Sequence, residues 1–376
     1  MKVYLDNAAT TPMAPEIIEM MSEMMKNNFA NPSSVHSFGR ESKIIIESAR
    51  KRVANLLNTS PGSIFFTSGG TEADNMAIKC GIHDHNITHA ITSKISHHAV
   101  LYPLQDLEKE SIIKLSYVNI DEDGVVSLSH LEELLKDNSR TFVSIMHANN
   151  EIGTIQDLKK IGEICKEYNA IFHSDTVQTM AHYPFDMQKL NVDFMAASAH
   201  KFHGPKGVGF VYVSENIKIK PLLRGGTQER NMRAGTENVY GIAALAMAME
   251  MAYENLEKEV EYIKGLKRYM IDKLQTELDD VHFYGKCTDL DNSLYTVLSC
   301  HFPETDISEM LLFNLDIIGV ACSGGSACAS GGSKSSHVLS TIQAENKRPG
   351  IRFSFSKYNT KEEIDFVIEK LQGLFL

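Results

Sequence analysis

A lysine set between two strands usually reaches solvent. The stretch ASAHKFHGPKGVGFVYV gives Lys201 a second option: it follows an apolar run, flanked by Ser198 and His200, and a Gly/Pro turn then leads back into strand. In a desolvated pocket its amine would lose a proton more readily and could bond a carbonyl as a Schiff base. FFTSGGTEADNMAIK runs from an apolar pair into Ser68-Gly69-Gly70-Thr71 and then into a helix. Small residues let backbone approach a phosphate, and a helix start offers free N–H groups and positive potential. Ordinary capping accounts for the same residues equally well. IFHSDTVQ places Asp175 just past a strand, with Gln178 three residues on. Such an Asp is commonly an N-cap; buried at a strand end it would hold a ligand cation or a protonated ring nitrogen.

SHHAVLYP offers His97 and His98 after a strand, either as a turn with a helix cap or as an imidazole over a flat ring. In GIRFSFS the alternation sets Ile351, Phe353 and Phe355 on one face and Arg352 and Ser354 on the other. Arg352 is then an edge-strand charge or a fork that grips a carboxylate. GVACSGGSACASGGSKSSHVL puts Cys322 and Cys328 in a Gly/Ser/Ala run that can hardly pack a core, which suggests thiols kept for their reactivity. The spacing of His200 and His203 hints at zinc, but no further ligand set accompanies it, so no metal is expected. No cluster decides the chemistry singly. Together they describe a pyridoxal 5'-phosphate site: phosphate cradle, ring-nitrogen carboxylate, Schiff-base lysine, stacking histidine and carboxylate-binding arginine.

These residues need elements to hold them. HAITSKI, TFVSIMH, AIFHSD, DFMAASAH and GVGFVYV read as strands, and DLKKIGEICKEYN has apolar residues at helical spacing. Strand–helix alternation of this kind implies an α/β fold with a mostly parallel sheet covered on both faces, where ligands gather beyond the carboxyl ends of the strands. From Val239 to Leu278 the pattern gives one long helix or two. After it, NSLYTVLSC, a helical DISEMLLFNL, the cysteine loop, GIRFSFS and a closing helix suggest a smaller α+β lobe. The expected division is a large domain over 13–259, with 1–12 and 260–376 forming the small one and the loop at about 319–339.

The net charge of −11 argues against a nucleic-acid partner, which needs a basic patch. The longest apolar stretch, YGIAALAMAMEMAY, is broken by Glu250 and too short to span a bilayer, so no membrane partner is expected. Six scattered cysteines do not make a disulfide framework, and MKVYLDNAATTP lacks the apolar core of a signal peptide. A reducing cytoplasm is the expected setting.

YLDNAATTP, NPSSVHSFGR, TSGGTEADN, HHAVL, HANNEIGTIQ, HSDTVQ, SAHKFHGPKG, GGTQERNMRAGTEN, GGSACASG and IRFSFS follow one another through nearly the whole chain. In this order they resemble the cysteine desulfurases of the NifS/IscS kind, within the class V aminotransferase-like, pyridoxal-phosphate enzymes of fold type I. The resemblance implies that Lys201 is the Schiff-base lysine, Asp175 the partner of the pyridinium nitrogen, Gln178 that of the ring oxygen, and His97 the stacking ring. It implies that Gly70, Thr71, Ser198 and His200 bind phosphate, and that Thr236 reaches a phosphate across a homodimer interface. Asn150, also counted among the cofactor-binding residues, and Arg352 would hold the carboxylate of L-cysteine. Cys328, deprotonated with help from His97 or the departing substrate, would accept its sulfur as a persulfide, releasing L-alanine.

The implied sulfur acceptor is an iron–sulfur scaffold or a tRNA-thiolation enzyme. A selenocysteine lyase shares the cofactor site. A non-catalytic assembly protein retaining the fold would be expected to lose Lys201 or Cys328, and both are present. The chain departs from the pattern at Cys322, where relatives usually carry Ser, at Ser96, where a Glu often precedes the stacking histidine, and in GGSKSSHVL after the cysteine. A bystander role for Cys322 is preferred over a persulfide relay.

Overall fold

The computed structural model describes residues 1–136, 140–306, 308–324, 336–342 and 348–375. At its centre is a seven-stranded sheet whose strands run in the order Ile64–Thr67, Gly209–Val213, Phe194–Ser198, Ile171–Asp175, Thr141–Ser144, His89–Thr92 and Lys114–Tyr117. Gly209–Val213 is antiparallel to both neighbours, and the other pairings are parallel. The reason is the connection: the chain returns from Ser198 through a short turn, whereas parallel neighbours need a crossover. Six strands therefore point the same way, and Thr67, Ser198, Asp175, Ser144 and Thr92 end along one edge.

Both faces of this sheet are apolar, as buried strands require. Phe142, Phe194, Ala196 and Val211 pack under the helices Gly70–Asp84 and His98–Lys109. Their alternates Val143, Phe172, Met195, Ala197 and Phe210 pack with Ser37–Leu56, Leu158–Glu167 and Val239–Glu254. The last of these is the apolar stretch noted in the sequence; it is buried nearly all round, as an interior helix should be. The pattern from Val239 to Leu278 resolves as two helices, Val239–Glu254 and Leu256–Glu277, broken at Asn255. No helix among the described residues is long and apolar enough to cross a membrane.

A second apolar cluster joins Val3 and Leu5 to side chains from Ile263 to Leu371. It includes a three-stranded antiparallel sheet, in the order Gly350–Ser354, Val297–His301, His282–Phe283, packed with the helices Leu256–Glu277 and Lys361–Phe375. Val3–Tyr4 pairs in parallel with Val320–Ala321, and Asp6 bridges to Ser354, so the first residues run from this cluster toward the edge of the large sheet.

Candidate active site

The strand ends of the large sheet, the segment after Asp6 and Arg352 enclose a cavity of about 340 Å³. Lys201 ends a single 3₁₀ turn, Ala199–Lys201, that follows strand Phe194–Ser198 without a break. Its Nζ donates to the carbonyls of Ala8 and Ala9 at 2.5 and 2.9 Å. Its own carbonyl lies 3.0 Å from His182 Nε2, and His182 Nδ1 lies 2.8 Å from Tyr295 Oη. A carbonyl only accepts, so Nε2 carries the proton and Nδ1 accepts from the Tyr295 hydroxyl. Burial lowers the His182 pKa and keeps this neutral tautomer.

Asp175 is the last residue of its strand, and its Oδ1 accepts the Val177 N–H at 3.0 Å. The capping and ligand readings of this residue are compatible, because the carboxyl caps a turn and still lines the cavity. Gln178 donates to the Ala8 carbonyl at 3.0 Å and lines the same wall. His97 caps the helix His98–Lys109 by accepting the Ala99 N–H at Nδ1, 3.1 Å, so Nε2 is its protonated nitrogen. Burial lowers its pKa against the pull of Asp175, leaving a neutral, flat ring on the cavity wall.

Gly70 and Thr71 open the helix Gly70–Asp84 on the cavity, beside Ser198 and His200. A Cβ on Gly70 would stand 2.5 Å from Val177 Cγ2, so only glycine lets the helix start there. Burial pushes the His200 imidazole down to about 4, and its Nδ1 pairs with Thr10 Oγ1 at 3.1 Å. Of the two asparagines of HANN, Asn149 is structural: it donates to the Ile95 carbonyl and accepts from the N–H groups of Glu151 and Ile152. Asn150 faces the cavity, and its carbonyl accepts from Arg352 Nη1 at 2.9 Å. Arg352 is only 1% exposed, so the solvated edge-charge reading fails. Nη2 pairs with Asp6 at 2.7 Å, while Nε is buried without a hydrogen-bond partner among the described residues.

Thr236 does not line this cavity; it lines a smaller one with Ser68, Arg233 and Asn238. Cys328 lies outside the described residues, as does the loop from 325 to 335. Cys322 corrects the expectation of a thiol on an open loop: it directly follows strand Val320–Ala321 and packs on the second apolar cluster. Burial pushes its thiol up to about 12. Sequence reasoning missed Asp6, Asp74 and Glu151 as site residues, although each sits inside a quoted motif. Glu151 is buried at the cavity and accepts the Ser336 hydroxyl, which in turn accepts the N–H groups of Val338 and Leu339. Burial raises the Glu151 pKa. Among the described residues no His, Cys, Asp or Glu cluster is arranged to hold a metal.

The residues fit pyridoxal phosphate on their own chemistry. A helix start with Thr71, Ser198 and His200 suits a phosphate, Asp175 suits a ring cation, and Lys201 opens on the same space. Arg352 offers an unpartnered buried N–H suited to a carboxylate.

Comparison with known proteins places the chain in a family. Residues 3–367 match the aminotransferase class-V family. A cysteine desulfurase IscS of Dictyoglomus turgidum is 43% identical over 378 residues, covering 99% of this chain and 94% of the relative. A solved NifS-like protein superposes with a TM-score of 0.91 at 37% identity, covering 100% of this chain and 99% of its own. A solved SspA in complex with cysteine gives a TM-score of 0.81 at 30% identity, covering 96% and 100%. The chain belongs to the aminotransferase class-V family.

Proposed function

We propose that the cavity binds L-cysteine and that Cys328 receives its sulfur. The chain is a pyridoxal-phosphate-dependent cysteine desulfurase, and the proposal concerns which residues do what. Bound pyridoxal phosphate supplies an electron sink that acidifies the substrate Cα and labilises its Cβ–sulfur bond. Lys201 would hold the group through Nζ, with Gly70, Thr71, Ser198 and His200 around its phosphate. Asp175 would partner the ring nitrogen, Gln178 the ring oxygen, and His97 would stack on the ring. Asn150 and Arg352 orient the substrate carboxylate, and Lys201 Nζ takes the Cα proton.

The Cys328 thiolate attacks the substrate sulfur. A sulfur–sulfur bond forms, and the Cβ–sulfur bond breaks with its electron pair left on Cβ. Protonation of Cβ, with return of the proton from Lys201 Nζ to Cα, gives L-alanine. The persulfide on Cys328 passes to an acceptor protein of iron–sulfur assembly or tRNA thiolation. The observation that carries the reading is the opening of Lys201, Asp175, His97, the Gly70–Thr71 helix start and Arg352 on one cavity.

Three parts of the proposal concern the setting. The lobes are 13–259 against 1–12 with 260–376, supported by separate apolar clusters. A homodimer in which Thr236 serves the partner's site is supported by exposed Phe29, Val35, Phe38 and Ile44 on neighbouring segments. A cytoplasmic setting is supported by the free thiols of Cys80, Cys165, Cys287, Cys300 and Cys322.

The test is sulfide and alanine production from L-cysteine by the holoenzyme and its variants. Cys328→Ala is expected to keep the cofactor and lose turnover, and Cys322→Ala to keep both. Normal turnover by Cys328→Ala would overturn the persulfide route and leave a lyase.

A further inference from the structure

Behind Asp175 lies a buried pair that the proposed steps do not use. His173 and Asp175 are two apart on one strand, so both project from the same face, toward the helix Gly70–Asp84. Asp74, in the second turn of that helix, puts Oδ1 3.2 Å from His173 Nε2, with side-chain exposures of 2% and 0%. Neither atom has a hydrogen-bond partner among the described residues, so the two lie in close contact as unsatisfied buried polar atoms. On the far side, His173 Nδ1 lies 2.8 Å from Ser144 Oγ. Asp74 also lines the cavity beside Asp175.

The charged and titratable groups around Asp74 are few. From its own helix, Glu72 is engaged by Arg233. The strand Ile171–Asp175 contributes His173 and Asp175, and the strand Thr141–Ser144 contributes only a hydroxyl. Across the cavity stand His97 and Lys201. No lysine or arginine among the described residues forms an ion pair with Asp74. A bare carboxylate there would be desolvated, with no cation paired to it and a second carboxyl nearby. One proton between Oδ1 and Nε2 removes that charge and would satisfy both atoms.

We propose that Asp74 is a neutral carboxylic acid that donates its proton to His173 Nε2, and so acts as a positioning residue that leaves Asp175 the one carboxylate beneath the ring nitrogen. Two directions agree with that placement. Burial, with Asp175 adding to it, raises Asp74 well above the usual carboxyl range, and burial pushes His173 down to about 3. The donated proton also fixes the imidazole tautomer: Nε2 accepts, so Nδ1–H donates to Ser144 Oγ. The inference rests on the assignment of Asp175 to the ring nitrogen.

The first test is infrared difference spectroscopy of holoenzyme labelled with ¹³C-aspartate. At neutral pH the parent is expected to show a carboxylic-acid C=O band that Asp74→Asn lacks; a parent without that band overturns the proposal. The second reads the absorbance and dissociation constant of bound pyridoxal phosphate. Asp74→Asn mimics the neutral acid and is expected to keep both near the parent's, whereas Asp74→Ala weakens cofactor binding by roughly 10-fold or more. An Asn variant as impaired as the Ala variant would mean that Asp74 acts as an anion, and would overturn the proposal. Asp175→Ala separates the two readings. If it leaves the cofactor spectrum unchanged, the ring-nitrogen assignment and the positioning role fall together, whereas the C=O band reports the Asp74 proton independently.

Discussion

The guanidinium of Arg352 is held on two sides, by Asp6 at Nη2 and the Asn150 carbonyl at Nη1, and its Nε stays buried and unpartnered. A lysine has one compact ammonium and cannot serve Asp6, the carbonyl and a substrate carboxylate together. Arg352→Lys is therefore expected to raise KM for L-cysteine by on the order of 10- to 100-fold, with a smaller change in kcat. Steady-state kinetics decide it: an unchanged KM would remove Arg352 from carboxylate binding. The period-two alternation of GIRFSFS gave Arg352 its face but could not supply Asp6, 346 residues away in the chain. Cys322 shows the opposite failure. The Gly/Ser composition around it suggested exposure, yet the two strand residues before it anchor the thiol in an apolar cluster. Composition averaged over a stretch misses an anchor that short.

At the level of elements, the strands were legible because each is a short apolar run ending in polar residues. The segment from Gly225 to Asn238 was legible only as a motif. Its backbone shows why: Glu229, Arg230 and Asn231 have φ of 44°, 56° and 64°, a left-handed run that non-glycine residues adopt at a cost. Something outside the segment must hold it. Glu229 is 2% exposed and forms a two-pronged pair with the fully buried Arg50, both contacts at 2.7 Å, while also accepting the Phe66 N–H at 2.8 Å. Glu229→Gln would remove the buried counter-ion of Arg50 and leave it only the more exposed Glu47, 3.3 Å from Nε. The expected loss is on the order of 3 kcal/mol of stability, read by denaturant unfolding. A loss below roughly 0.5 kcal/mol would show that the pair only breaks even with its desolvation cost.

Across the whole molecule, two strings of contacts tie the small cluster to Lys201. The first residues pair with Val320–Ala321 and then offer the Ala8 and Ala9 carbonyls to its amine, while His182 links its carbonyl to Tyr295. Neither string follows a local pattern, so neither was legible in the sequence. Imidazoles such as His182 and His203 are held neutral by burial, and they make stability depend on pH. Burial pushes His203 down to about 4, and its Nδ1 lies 2.8 Å from the Pro12 carbonyl. A depressed folded pKa contributes stability that is present above the unfolded value near 6.5 and lost as pH falls toward the folded one. Each such group costs at most about 1.4 kcal/mol per pH unit in that window. Glu151 and Asp193, raised by burial, act in the opposite direction, so the net slope is shallower than the imidazoles alone would give. The Asp74–His173 pair also opposes the loss in the upper part of the window. Its folded form would hold one proton throughout, whereas the unfolded histidine takes one up only as pH drops through about 6.5, and below that the pair is nearly silent. The unfolding midpoint of the holoenzyme is therefore expected to fall between pH 7 and pH 5. His203→Asn, which suits the left-handed backbone at φ 64°, is expected to reduce that fall. Paired thermal scans at the two pH values test this, and an equal fall in parent and variant would show that His203 takes up its proton without penalty to the fold.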